Sequence, residues 1–171
     1  MLKDNNLTWK HRIKELIIDY ICILLYLTLL LSITLVIYLV ILKGIPKFNE
    51  LHSQLLACFS SVVPIILIFS FFDNNKGSIG KQKAGLKLYY KNKDYRSSLV
   101  RNIIKFLPWQ LAHIGVIRGM YTNFDLLSLV FTISSIALSI TMLIMGIVRK
   151  DKRHLGDLIA GTQTQLIWLY L

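Results

Sequence analysis

A long apolar segment near the start of the chain sets the strongest limit on what this sequence can fold into. Residues 12–42 read RIKELIIDYICILLYLTLLLSITLVIYLVIL, and from residue 16 onward the one charged side chain is Asp19. About 20 apolar residues suffice to cross a bilayer, so residues 16–42 are predicted to form a transmembrane helix. The run is too long for a signal peptide, so we expect it to be retained. A carboxylate inside such a helix is costly unless another group partners it.

The composition favours a membrane protein over a soluble one. The 171 residues are 54% hydrophobic and carry a formal net charge of +11. The Lys and Arg residues gather between the apolar runs, as the positive-inside rule predicts for membrane proteins. No aromatic stacking surface or basic recognition helix accompanies them. We therefore predict the lipid bilayer as the environment and no nucleic-acid partner.

Two further apolar runs, at residues 51–72 and 126–148, are also predicted to cross the membrane. The loop at residues 73–98 is rich in Lys and Arg, and so is the beginning of the tail at residues 149–171. Both segments are therefore predicted to be cytoplasmic. The chain must then cross the bilayer between them, and both termini are expected to be cytoplasmic.

The crossing between the two basic segments falls on residues 99–117, which form the least apolar of the candidate spans. Pro108, Gln110 and His113 interrupt this stretch. Four crossings satisfy the charge pattern best. An amphipathic helix lying on the membrane surface is the alternative for this segment.

Two short segments are predicted to add a small β element on the cytoplasmic side. Residues 85–90 alternate apolar and polar side chains, and residues 162–169 read as a possible partner strand. Trp168 and Tyr170 are expected to anchor the tail at the interface. The predicted fold is one domain over residues 1–171, an all-α polytopic membrane protein. It is a small helical bundle of about four transmembrane segments with a short cytoplasmic β element.

The sequence lacks the usual signatures of an enzyme. GSIGK at residues 77–81 falls short of a full phosphate-binding loop, and no serine sits in a nucleophile elbow. The histidines are scattered without metal-ligand spacing, at His11, His52, His113 and His154. We predict no catalytic residue, no metal and no cofactor.

Charges at the membrane boundaries are the informative residues that remain. Asp19 is either a cation- or proton-binding carboxylate in a pathway or one half of a structural ion pair. Arg12 lies two turns earlier on the same helix face and is predicted to pair with Asp19 or with Asp157. Lys81 is a second candidate cation.

Four motifs occur in order along almost the whole chain. They are Arg12 with Asp19, GSIGKQKAGL at residues 77–86, Arg101 with Asn102, and RHLGDLIAGT at residues 153–162. In this order and placement they resemble the RDD family of small membrane proteins, which is named for one arginine and two aspartates. Gly156 stands where histidine is common in that family, and His154, two residues earlier, is expected to point elsewhere.

The predicted topology places the first span, the central loop and the tail at the cytoplasmic end of the bundle, where we expect them to converge into one candidate site. Its charged motif is Arg12, Asp19 and Asp157, supported by Gly80, Lys81, Gly85, Arg101, Asn102, Gly161 and Thr162. The glycines are expected to allow tight turns or close backbone approach.

Two functions are compatible with these features. The resemblance implies transport of an unknown ligand, with sodium–proton exchange proposed for some members, and a bacterial cell membrane as the location. The ligand would then be a monovalent cation or a proton, with a homo-oligomer completing the route. The alternative is a non-catalytic structural or regulatory module that binds a membrane partner protein or anionic lipid.

Overall fold

A computed structural model describes residues 7–92 and 94–167, and it is mainly helical with one small sheet. The helices and strands are, in chain order, α1 (Trp9–Val36), α2 (Glu50–Ala57), α3 (Val63–Asn75), α4 (Ile79–Lys83), β1 (Leu86–Tyr90), α5 (Tyr95–Thr122), α6 (Leu126–Val148), α7 (Leu155–Ile159) and β2 (Thr162–Leu166). A π-helical turn at Ile37–Ile41 extends α1, and another at Cys58–Val62 joins α2 to α3. The α2–α3 pair is therefore one continuous rod.

Three helical stretches are long and apolar enough to cross a membrane: Trp9–Ile41, Glu50–Asn75 and Leu126–Val148. They contain nearly all of the spans predicted at residues 16–42, 51–72 and 126–148. Large apolar side chains cover their outer surfaces, which suits contact with lipid but not with water. The predicted all-α membrane fold with a short β element is confirmed.

The helix α5 belongs to the bundle, although it is not among these three stretches. It runs antiparallel to the α2–α3 rod, with Ser98 near Ser70 at one end and Tyr121 bonded to Ser53 at the other. Its 28 residues measure about 42 Å at 1.5 Å per residue. A helix lying apart from the bundle on the membrane surface does not fit this packing. The fourth crossing itself stays a prediction.

A polar stripe on α6 faces α5. The Ser135 hydroxyl donates a hydrogen bond to the Pro108 carbonyl at 2.7 Å, and Ser128 is fully buried. This stripe is used within the chain because α6 folds back directly on α5. Ser139, one turn beyond Ser135 on α6, remains exposed.

Replacing Gly115 with leucine is expected to separate α5 from α6. A Cβ atom at Gly115 would lie 2.4 Å from the Thr132 hydroxyl and 2.9 Å from the Ser128 carbonyl oxygen. Since close helix contacts in membranes depend on small residues, we expect a loss of about 2 kcal/mol or more in the free energy of unfolding. Thermal melting in detergent micelles measures it. An unchanged melting temperature would show that these helices do not touch here.

The strands form a cap at one end of the bundle together with α4 and α7, and these four elements are called the cap below. β1 and β2 pair antiparallel, with Leu88 opposite Thr164. Gly85 and Gly161, at φ +68° and +64°, make the tight turns that start the two strands. The predicted strand pair is present, and the predicted anchors Trp168 and Tyr170 lie outside the described residues.

The apolar core lies directly beneath the cap. Ile23 of α1, Ile65 and Phe69 of α3, and Phe106 of α5 pack together there. Phe69 and Phe106 meet edge to face, with ring centroids 5.2 Å apart. This core holds the ends of three helices at fixed separation, so the polar side chains above it have defined positions.

Candidate functional site

Charged side chains gather where the cap meets the helix ends, and most of them are buried. We call this group the ionic cluster. Its cations are Arg12, Lys81, Arg101 and Lys105, and its carboxylates are Glu15, Asp19, Asp73 and Asp157. Four cations thus stand against four carboxylates. A buried group of charges is tolerated only when it is paired in this way.

Arg101 lies at the centre of the cluster and is 1% exposed. Its Nε donates to Asp157 Oδ1 and its Nη1 donates to Asp73 Oδ2, both at 2.7 Å. Asn102 adds a 3.2 Å bond to the same Asp73 oxygen. The rigid guanidinium fork suits this task, because it can bond two carboxylates in fixed directions. Arg101 therefore ties α5 to both α3 and α7.

Lys81 holds the short helix α4 against α1 and α3. Its Nζ lies 2.8 Å from Asp73 Oδ1 and 3.1 Å from Glu15 Oε1, and the side chain is fully buried. Burial by itself would lower the pKa of the Lys81 amine, but the neighbouring Asp73 and Glu15 carboxylates outweigh it and raise the pKa above its ordinary value. Lys81 is therefore charged at any physiological pH.

Asp19 receives hydrogen bonds mainly from the cap. The Gly80 amide N–H and the Ser78 hydroxyl each donate to one of its oxygens at 2.8 Å. The nearest cation is Lys105, whose Nζ lies 3.6 Å from Asp19 Oδ2. A Cβ atom on Gly80 would lie 2.3 Å from the Glu15 carbonyl oxygen, so only glycine allows this close approach.

Arg12 has partners other than the predicted ones. Its Nη1 donates to Glu15 Oε2 at 3.1 Å, one turn along α1, and its Nη2 donates to the Lys152 carbonyl oxygen. The predicted pair with Asp19 or Asp157 is wrong because Glu15 is closer on the same helix face and the cap donors already hold Asp19. Arg12 still joins α1 to the segment before α7.

His154 lies beside Asp157 and belongs to the ionic cluster. Its Nε2 is 3.3 Å from Asp157 Oδ2 and 3.2 Å from Arg101 Nη2. The His154 Nδ1 accepts the Gly156 amide N–H and so caps the start of α7. This local bond turns the ring into the cluster, which sequence spacing alone does not show.

Burial and charge act in opposite directions on this pair. Burial lowers the pKa of His154 from 6.5 to about 3, with Asp157 opposing and Arg101 reinforcing the shift. Burial alone would raise the pKa of Asp157, but Arg101 outweighs it and holds that pKa well below its ordinary value. His154 is therefore neutral and Asp157 is ionised at neutral pH.

Replacing His154 with asparagine is expected to flatten the pH dependence of stability between pH 6.5 and 5. A histidine with a lowered pKa gives full stability above its unfolded value, and this is lost as the pH falls. At 1.36 kcal/mol per pH unit, the wild type should lose about 2 kcal/mol by pH 5. Melting curves against pH test this, with the exposed His52→Gln variant as the control. An equal slope in His154→Asn would contradict it.

The structure brings most of the predicted site residues together, including Thr162, which donates to Asp157 Oδ1 at 2.9 Å. It adds three residues that were not predicted from the sequence: Glu15, Asp73 and Lys105. One turn separates Glu15 from Asp19, and that spacing was a usable signal. Gly85 and Gly161 only shape the turns of the cap.

The arrangement is suited to holding parts of the chain together and has few features of a reaction centre. The cluster carboxylates all face cations, and the described residues include no group of three or more His, Cys, Asp or Glu side chains placed to hold a metal ion. An apolar cavity of about 180 Å³ opens beside the cluster between α1 and α6. A second cavity, of about 100 Å³, lies between α1 and α3.

Apolar helices, with the ionic cluster and the cap at one end of their bundle, define an integral membrane protein. A family model described as the RDD family matches residues 8–161. The chain belongs to this family, and the match includes every residue of the ionic cluster. No curated protein and no solved structure gives a significant match.

Proposed function

We propose that the protein is a non-catalytic membrane module that binds anionic lipid through its basic cap. The observation that carries this proposal is the mutual pairing of charges in the ionic cluster. The cluster fastens α4 and α7 to the helix ends. Charges paired in this way serve the fold, and they leave the exposed basic side chains of the cap to meet a partner.

The exposed lysines of the cap and its flanks are suited to an anionic surface. They are Lys76, Lys83, Lys87 and Lys91. Each basic side chain held near an anionic membrane contributes about 1 kcal/mol. The positive-inside pattern of the sequence supports a cytoplasmic cap in a cell membrane, where anionic headgroups are abundant.

The test compares thermal stability in nanodiscs of phosphatidylcholine alone and in nanodiscs containing phosphatidylglycerol. Wild-type protein should melt at a higher temperature with the anionic lipid, and the gain should shrink at high salt. A variant with all four of these lysines changed to glutamine should lose most of the gain. Equal melting of the wild type in both lipids would overturn the proposal.

Cation-coupled proton transport is the second candidate, because Asp19 lines both cavities beside α1. The two cavities meet Asp19 from different faces of α1, and ion exchange requires in addition that the carboxylate be reached from both sides of the membrane. Purified protein in liposomes with an internal pH-sensitive dye would be challenged with sodium, potassium or lithium. Cation-dependent proton movement that Asp19→Asn abolishes in a folded protein would favour transport over the module. Wild-type liposomes that match empty ones would remove this candidate.

A further inference from the structure

The cavity between α1 and α6 has the chemistry of a binding site for an amphiphile. Its walls are apolar side chains that include Leu16, Tyr20, Leu143 and Ile147. Arg12 and Lys105, two cations of the ionic cluster, also line it. Leu16 and Tyr20 are more than half exposed, so the cavity has an open side toward the surrounding membrane.

Lys105 is the cation of the cluster with the weakest pairing. Its carboxylate contact among the described residues is Asp19 at 3.6 Å, beyond ordinary hydrogen-bond distance. Its ammonium also lies over the rings of Phe69 and Phe106, at 4.6 and 5.3 Å from their centroids. The side chain is 26% exposed. An ammonium has three donors, so Lys105 retains the capacity to bind an anion.

Arg12 supplies an independent indication in the same cavity. Its Nε is buried and has no hydrogen-bond partner in the described part of the chain. A buried donor without an acceptor is unfavourable, and an anion in the cavity would satisfy it. The carboxylates that also line the cavity, Glu15 and Asp19, already accept bonds from Arg12, Ser78 and Gly80.

The depth of the cavity suits a lipid headgroup. Residues 20–41 of the first span measure about 33 Å at 1.5 Å per residue, close to the thickness of the hydrocarbon layer. Asp19 and its neighbour Lys105 therefore stand at the headgroup level when that stretch fills the membrane. A phosphate there would lie near Lys105 and Arg12, with an acyl chain against the apolar walls.

We propose that the cavity between α1 and α6 binds one anionic phospholipid, with its phosphate at Lys105 and Arg12 and an acyl chain along Leu143 and Ile147. This inference rests on the proposed function and gives it a specific site. Gly146 offers a clean test, because it lines the cavity and a Cβ atom there would meet nothing within 4 Å. A larger side chain at this position can enter open space without displacing its neighbours.

The experiment is native mass spectrometry of the delipidated full-length protein with equal amounts of phosphatidylglycerol and phosphatidylcholine of identical chains. Wild type should retain one phosphatidylglycerol with more than about tenfold preference. Gly146→Leu should lose the bound lipid, whereas Ala137→Leu on the exposed face of α6 should keep it. Lys105→Met should reduce the preference about fivefold, and the exposed Lys47→Met should not.

The outcomes separate the site from the general function. If Gly146→Leu keeps the preference while the four-lysine variant loses it, the cavity site is wrong and the proposed function stands. Absence of any preference in wild type would overturn both. A parallel titration uses soluble glycerol phosphate. If it stabilises the protein as strongly as the lipid does, the site takes a free phosphate and the amphiphile proposal falls.

Discussion

Replacing Arg101 with methionine is expected to lower the free energy of unfolding by about 3–5 kcal/mol, the range for breaking a buried ion pair. Methionine keeps much of the volume but removes the donors that hold Asp73 and Asp157 at 2.7 Å. Two buried carboxylates are then left facing a weaker set of partners. Unfolding of the purified protein in mixed micelles, followed by circular dichroism, measures the loss.

The matched control is Arg149→Met, which breaks the pair with Asp151 at 2.9 Å. This pair is exposed to solvent, so its removal should change stability by no more than about 1 kcal/mol. The double variant Arg101→Met with Asp157→Asn should be less destabilised than the sum of the two single variants, because the second change removes an unpaired charge. A loss in Arg101→Met as small as in the control would mean that water replaces the guanidinium.

The spans and the β element could be predicted because each leaves a local pattern in the sequence. The apolar run around α1 is long enough to cross a bilayer, and the alternation at residues 85–90 matches β1. The pairing of β1 with the tail followed from the predicted topology, which gathered both segments at one end of the bundle. These features depend on length, hydropathy and charge, which are properties of short segments.

The ion pairs could not be predicted in detail, because they depend on how distant elements pack. Asp73 begins the segment predicted as a basic cytoplasmic loop, yet it is fully buried between Lys81 and Arg101. Lys105 turns toward Asp19, a partner on another helix that its own segment does not reveal. The spacing of residues along a helix predicts on which face of that helix each residue lies. It does not give the partner that another helix brings to that face.

The segment α5 illustrates the same limit for hydropathy. Its sequence is weakly apolar because it carries Arg101, Asn102 and Lys105 into the interior, where other parts of the chain satisfy them. Pro108 lies within the helix without ending it. A helix surrounded by protein needs less apolar surface than one surrounded by lipid, so a hydropathy threshold underestimates it.

Replacing Gly80 with alanine is expected to detach α4 from α1, at a loss of about 3 kcal/mol or more. The added Cβ would lie 2.3 Å from the Glu15 carbonyl oxygen and 2.5 Å from Asp19 Oδ1. Overpacking of this kind costs about 1–3 kcal/mol. The displacement would also weaken the bond from the Gly80 amide to Asp19 and the pairs made by Lys81.

The same substitution at Gly146 should have the opposite sign, which makes it the matched control. A Cβ atom there meets nothing within 4 Å, and alanine is favoured over glycine inside a helix by about 1 kcal/mol. Melting temperature reports stability, and limited proteolysis around α4 reports whether the cap has come loose. If Gly80→Ala melts like wild type and its cap resists proteolysis, α4 does not rest on α1. The ionic cluster would then lack the contact that brings Lys81 to Glu15.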